Sequence, residues 1–447
     1  MEANVTIILP SLNVAEYIGE CLESVTGQTL KELEIICVDA GSTDGTWGIL
    51  QNFAQKDKRI KLLHSREKSY GSQVNLGLER AGGRYVAILE TDDYAAPDMY
   101  ETLYETAALY ALDYAAADFD CFYTFESGGR LFERSRLFGA ERPWYGRVLC
   151  PEQIAQLRLS DYLLWKGIYS REFLNKNHIR LHESPGAAYQ DMGFLQQVKT
   201  YAKSAMYIDR SLYRYRRDRA EASSFHLEGL SYYQKEFAWI EEELRLPEKM
   251  DALHGENYLA TMAWAFLGKY DEILKRLGYD WEDKRLQSPC RWFVKRLKTA
   301  MEQNTLRPCR QNAWYWEELL ILMESGAGHA RWLSDKNRKP EEGRRGLLNR
   351  IGGRPAIIWG CGAYGEKLLL FCFHNSIPVL AFTDNSPELQ GETFYGYEIL
   401  PPCQASKASK GAVILISPVR ASEQIMRQLS EMGIADRGIV PDFSGGI

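Results

Sequence analysis

Five short apolar runs, at 5–10, 33–39, 60–64, 85–90 and 116–122, punctuate the first quarter of the chain. They have strand length, and most are too continuously apolar to leave one face in water. Between them, at 14–26, 44–56, 72–82 and 98–110, apolar residues recur every three or four positions, the period of a helix with one buried face. Such alternation predicts βαβ units and a mainly parallel sheet covered on both sides. Residues 123–150 read as loop-rich, with Gly128-Gly129 and the aromatic cluster Pro143, Trp144 and Tyr145. Residues 151–175 read as helical, and a short helix around Asp191 precedes a strand at 205–208 and the basic-aromatic run Tyr213 to Arg217. From 226 to 345 only helical patterns occur. The charged run 335–345, which holds Pro340 and Gly343, reads as a boundary linker. A second αβ pattern follows, with strands at 356–359, 379–382 and 412–416 and helices at 365–374 and 421–432. Three segments result: an α/β domain over 1–225, a helical region over 226–345 and a small Rossmann-like α/β domain over 350–447.

Composition narrows the class. Hydrophobic residues make up 45% and charged residues 26%, the balance of a globular protein. A formal net charge of -6 argues against a nucleic-acid partner, which calls for a basic excess. No N-terminal stretch has the form of a secretion signal, and no segment approaches the ~20 apolar residues that span a bilayer. A cytoplasmic protein is therefore expected. The nine cysteines include no C-x-x-C pair and read as reduced thiols, several of them in apolar runs.

The chemistry sits at strand ends. Asp39 closes one apolar run and opens Asp39-Ala-Gly-Ser-Thr-Asp-Gly-Thr46; Glu90, Thr91, Asp92 and Asp93 close another. Ligands of open parallel sheets bind beyond the carboxyl ends of strands, so both acidic ends can face one crevice. Carboxylate oxygens suit a hard divalent cation, which in turn suits a diphosphate.

In this ordered set the chain resembles the family 2 glycosyltransferases, which have the nucleotide-sugar-binding GT-A fold. The first strand leads into Pro10, Asn13, Glu16 and Tyr17, as in the family opening. Asp39 to Thr46 resembles the family's DDGSTDGT with Ala40 in the second place, and Glu90 to Asp93 its DxDD with Glu first. Gly71 and Asn75 resemble its G-x-x-x-x-N-x-G, with Val74 where an Arg commonly stands. Trp165-Lys166, Arg171 to Leu174, and Gln190-Asp191-Met192 resemble its W-K, R-E-F-L and E-D-M elements. The resemblance covers roughly the first half of the chain.

It implies a metal-dependent inverting glycosyltransferase that moves a sugar from a nucleoside diphosphate, with UDP expected, to a hydroxyl of a saccharide or lipid-linked acceptor in bacterial surface polysaccharide synthesis. Pro10, Asn13, Glu16, Asp39, Gly71, Asn75, Glu90 and Asp92 would bind the nucleotide, and Asp92 with Asp93 would hold Mn2+ or Mg2+. Asp191 would be the general base; the alternative is a capping Asp at a helix start. Asp44 is a better cap than Asp39 for the helix after it. Lys166, Arg214 and Arg216 are candidate phosphate or acceptor contacts or, equally, a solvated basic face; Trp165 reads as core more readily than as a sugar platform. A lipid-linked acceptor would bring peripheral contact with the inner face of a membrane, for which the region 226–345 is available; oligomers are compatible with the chain.

The second αβ pattern carries Gly360-x-Gly362-x-x-Gly365 between a strand and a helix, with Asp384 24 residues after Gly360. That arrangement is compatible with a second nucleotide site, with NAD(P) as one occupant, but such turns also serve packing alone, and a docking or regulatory role for the domain is the preferred reading. The competing function is a nicotinamide-dependent nucleotide-sugar oxidoreductase using that domain. It lacks a Tyr-x-x-x-Lys or a suitably placed reactive Cys after 350.

Overall fold

The computed structural model describes residues 3–138, 144–157, 161, 163–219, 226–308, 312–408 and 411–442. They fall into two compact units, Met1–Phe122 with Phe132–Ala330, and Tyr123–Leu131 with Arg331–Ile447. One sheet, built mainly from the first unit, contains β1 (Val5–Ser11), β2 (Leu33–Asp39), β3 (Ile60–His64), β4 (Tyr85–Ile88) and β5 (Tyr94–Ala95). It is completed by β6 (Tyr114–Thr124), β7 (Arg130–Ser135), β8 (Gly167–Ser170) and β9 (Ala205–Arg216). The order is β3-β2-β1-β4-β8-β6-β9-β5, with β7 on β6. The first four neighbours are parallel, β8 is antiparallel to both β4 and β6, and β6 and β9 are parallel. Every residue of β1 and β2 is buried, as a sheet covered on both faces requires.

Helices α1 (Ile18–Thr26), α2 (Thr46–Lys56), α3 (Tyr70–Arg80) and α4 (Met99–Leu109) link the strands. α1 buries Ile18, Cys21, Leu22 and Val25, a stripe at helical spacing, and each aliphatic side chain of this kind contributes about 1.5–3 kcal/mol. It begins at Ile18 rather than near 14. Asn13 has a left-handed backbone (φ 52), and the N–H groups of Val14 and Ala15 go to Thr46 and Asp44 instead of a helix. α3 crosses β1 closely at Gly77, where a Cβ would lie 2.5 Å from the Ile8 side chain.

Three segments differ from the pattern-based expectation. The stretch 123–150 continues β6, turns at Gly128 (φ 80) and returns as β7; Pro143 lies outside the described residues. The stretch 151–175 is helical only at α5 (Pro151–Ile154), a 3-10 turn (Leu164–Lys166) and α6 (Arg171–Lys176). Between the last two lies β8, whose four residues are too few to show a period. Gly167 starts it because a Cβ there would come within 2.4 Å of the Ala115 carbonyl. The charged run 335–345 is no linker but part of α12 (Gly326–Ile351), with Pro340 inside the helix. Its Lys, Arg and Glu residues are good helix formers, and nearly all are exposed.

The remaining helices of the first unit are α7 (Gln190–Tyr201), α8 (Gly229–Ala238), α9 (Ala252–Arg276), α10 (Lys284–Glu302) and α11 (Ala313–Glu324). The second unit holds β10 (Ala356–Trp359), β11 (Val379–Thr383), β12 (Thr393–Phe394), β13 (Tyr397–Leu400), β14 (Val413–Ile416) and β15 (Gly438–Ile439). Its helices are the part of α12 from Arg331 onward, α13 (Ala363–His374), α14 (Pro402–Ala408) and α15 (Ser422–Glu431). The strand order is β12-β13-β11-β10-β14-β15, all parallel except β12.

Candidate active site at the carboxyl ends of the strands

The loop after β2 is tied to the loop after β1. Asn13 Oδ1 accepts from Thr43 N (2.9 Å), and Asn13 N donates to Ser42 Oγ (2.9 Å). Asp44 accepts from Ala15 N with one oxygen and from Thr46 N and Oγ1 with the other. Gly45, with φ 105, is the residue that caps α2. Asp39 is 1% exposed; its carboxylate accepts from Gly41 N, Ser42 N and Ser42 Oγ. A nucleotide base reaching Asp39 would therefore have to displace the Ser42 hydroxyl. Pro10 O accepts from Thr91 Oγ1 (2.9 Å), which fastens the acidic turn to β1, and Glu16 is exposed beside Tyr17. Gln73, which the sequence did not single out, donates to Ser11 O (2.8 Å) and Val38 O (2.7 Å) and so holds the ends of β1 and β2 together. A polar residue on the buried face of α3 was the available signal.

The acidic turn after β4 divides its carboxylates between two roles. Asp93, 2% exposed, accepts from Tyr213 Oη and from Arg216 N, both at 2.7 Å. It anchors β9 to the turn, which corrects the expectation that it faces a metal. Burial pushes its carboxyl well above the usual range, and Asp92 adds to the rise. Asp92 is partly exposed and pairs with Arg219 (2.8 Å). Arg216 likewise serves the turn: Nε donates to Asp92 O (2.8 Å) and a terminal nitrogen pairs with Glu20 (2.8 Å). Glu90 accepts from Tyr70 Oη (2.5 Å), and burial raises its carboxyl to about 8 despite that bond.

Asp191 occupies the first turn of α7, after Tyr189 in the left-handed region (φ 68), and accepts from its neighbour's N–H, Met192 N, at 2.9 Å. Its carboxyl is raised to about 7, first by burial and then by repulsion from Glu236. The charges of Asp191 and Glu90 both reach Tyr70, so two acids a hundred residues apart in sequence share one site. Gln190, in the place of the family's Glu, shapes the preceding loop. It accepts from Ala188 N and donates to Ser184 Oγ and Gly186 O.

Gly71 and Asn75 are turned to the segment before Asp191 rather than to a nucleotide. Asn75 exchanges hydrogen bonds with Leu181 N and O and donates to Glu183 (2.9 Å); a Cβ on Gly71 would lie 1.9 Å from the His182 carbonyl. Lys166 is also corrected. It is 2% exposed and paired with Asp161, so it meets no phosphate in this arrangement. Arg214 pairs with Asp120 (2.9 Å). Trp165 is core, stacked on Tyr213 and Tyr215 with centroids 4.1 and 5.2 Å away.

Glu236 on α8 is a positioning residue invisible in the motif pattern. It is 2% exposed, accepts from Gly193 N (3.1 Å) in the first turn of α7, and contacts His182 Nδ1 (3.0 Å), whose ring stacks on Trp239. Glu236→Gln keeps an acceptor for Gly193 and removes the charge. The titration of Asp191, followed by the acid limb of a pH–rate profile or by carboxyl NMR, is expected to move to lower pH. An unmoved limb would mean that Glu236 only braces the helix.

Asp271, Glu318 and His329 form a separate group among the helices that could hold a divalent cation, their ligand atoms within 4.8 Å of one another. In the second unit, a Cβ on Gly360 would lie 2.4 Å from Ser417 Oγ and one on Gly365 2.2 Å from Gly360 O, whereas Gly362 faces open space. Asp384 accepts from Cys361 N (3.2 Å) and Ser386 N (2.9 Å). Asp384, read from the sequence as part of a second nucleotide site, thus braces the glycine turn itself.

Acids gathered at the carboxyl ends of a mostly parallel sheet stand where open α/β sheets receive their ligands. Residues 6–186 match the family description "Glycosyl transferase family 2", and residues 354–440 match "C2185-like, N-terminal". The glycosyltransferase YibD of Escherichia coli is 29% identical over 260 residues, 57% of this chain and 73% of that protein. EpsJ of Bacillus subtilis is 30% identical over 218 residues, and the chain spans 60% of its length. Among solved structures, residues 1–349 of S. aureus TarS in complex with UDP-GlcNAc superpose with a TM-score of 0.53 at 18% identity, covering 75% of this chain and 92% of that one. That likeness is one of fold. No helix among the described residues is long and apolar enough to cross a membrane.

Proposed function

We propose that the protein is a metal-dependent, inverting glycosyltransferase that uses a UDP-sugar and extends a saccharide or lipid-linked acceptor of the bacterial surface from the cytoplasmic side. The observation that carries this reading is that Glu90 of the acidic turn is hydrogen-bonded to Tyr70 and the charge of Asp191 acts on both of them. The family match, and the teichuronic acid glycosyltransferase TuaG of Bacillus subtilis (44% identical over 99 residues), support the reaction and its setting. The UDP-GlcNAc bound to the similarly folded TarS supports the donor. We also take the second unit as Rossmann-like, on its parallel strand order and glycine turn.

Asp92 offers hard oxygen donors beside Glu90, a set that fits Mg2+ or Mn2+. Bound there, the cation would offset the charge that grows on the diphosphate leaving group. Asn13 and Asp39 hold the two strand-end loops in the shape that receives the nucleoside. Asp191 takes the proton of the acceptor hydroxyl as its oxygen bonds to the anomeric carbon and the bond from that carbon to the diphosphate oxygen breaks. One displacement with one base inverts the anomeric configuration. Burial suits Asp191 to proton abstraction, because a carboxyl near 7 is a stronger base than a solvated one.

Calorimetric titration of UDP and GDP, with and without Mn2+, tests the donor. Metal-dependent binding of UDP in preference to GDP is expected; binding of neither nucleotide with metal present would overturn the proposal.

A further inference from the structure

The outward face of α10 is independent of the strand-end site. At about 100° per residue, Lys284, Ser288, Arg291, Lys295, Lys298 and Glu302 fall within an arc of about 80°. All six are exposed. The opposite face carries Leu286, Pro289, Phe293, Leu297 and Ala300, all buried. Lys284, Arg291, Lys295 and Lys298 have no acidic partner among the described residues, whereas Arg285 and Arg296, off the stripe, pair with Asp283 and Glu241. From Lys284 to Lys298 the row is about 21 Å long. Four such aligned cations on a chain of net charge -6 are a local concentration of charge against the general trend.

We propose that this face of α10 docks on an anionic lipid surface. A flat layer of phosphate headgroups complements a straight row of cations, and charges act across only about a Debye length, ~8 Å, so a local stripe suffices. The partly buried Trp292 and Val294 flank the row on either side and bring apolar surface to the level where indole rings settle in a bilayer. A nucleic acid fits less well, because tracking its backbone needs a basic excess over the domain. The inference does not depend on the transfer chemistry, although a lipid-linked acceptor would give it a purpose.

The test is co-sedimentation of the full chain with vesicles of phosphatidylcholine alone or mixed with phosphatidylglycerol, in low and in physiological salt. Binding is expected only to the anionic vesicles, and to weaken with salt. The variant Lys284→Gln, Arg291→Gln, Lys295→Gln, Lys298→Gln should bind them about 100-fold more weakly or worse. UDP titration and thermal melting of that variant should match wild type, which separates loss of docking from loss of fold and from failure of the donor assignment. Equal binding to both vesicle types, equal binding by the variant, or binding to duplex DNA in place of vesicles would overturn the proposal.

Discussion

Asp191→Asn is expected to lower kcat by about 10²–10⁴ while leaving UDP affinity unchanged, because the amide cannot take the acceptor proton and UDP carries no sugar to lie beside it. The same substitution is expected to raise thermal stability above neutral pH. Burial lifts the Asp191 carboxyl to about 7, so the folded state favours the protonated form. The stability this group contributes is present at low pH and is lost as pH rises through about 7; Asn removes that loss. For the same reason the wild-type rate should rise with pH through an apparent value near 7, as the base becomes ionised. A variant with lower kcat and an unchanged melting profile across that range would identify Asp191 as a solvated helix-end residue and not a desolvated base.

Asp92→Ala is expected to abolish the Mn2+ dependence of UDP binding and to lower kcat/KM by about 10²–10³, several kcal/mol of charge stabilisation at the leaving group. Arg219→Ala is the control. Asp92 pairs with Arg219 at 2.8 Å, so both variants lose that ion pair and only Asp92→Ala loses the carboxylate. If the two lose Mn2+ dependence alike, Asp92 matters as the partner of Arg219 and the cation lies elsewhere. Asp271, Glu318 and His329 would then be the next group to change.

Much of the first sheet was legible because its strands are buried on both faces and therefore read as uninterrupted apolar runs, as β1 and β2 do. β8 was not legible: four residues carry no period, and its place between β4 and β6 follows from a close approach of Gly167 to Ala115. The stretch 335–345 of α12 was read as a linker for the opposite reason. Its charged residues and Pro340 resemble a linker locally, while a solvated helix accepts the same composition.

In the site, the sequence by itself determined which carboxylates lie at strand ends, since Asp39 and the turn from Glu90 to Asp93 follow apolar runs directly. Only the tertiary structure decided their division of labour. Asp93 turns inward to Tyr213, Lys166 is buried against Asp161, and Gly71 with Asn75 brace the segment leading to Asp191. Tyr70, Gln73 and Glu236 entered the site only in three dimensions, because hydrogen bonds and charge act through space between groups that sequence spacing keeps far apart.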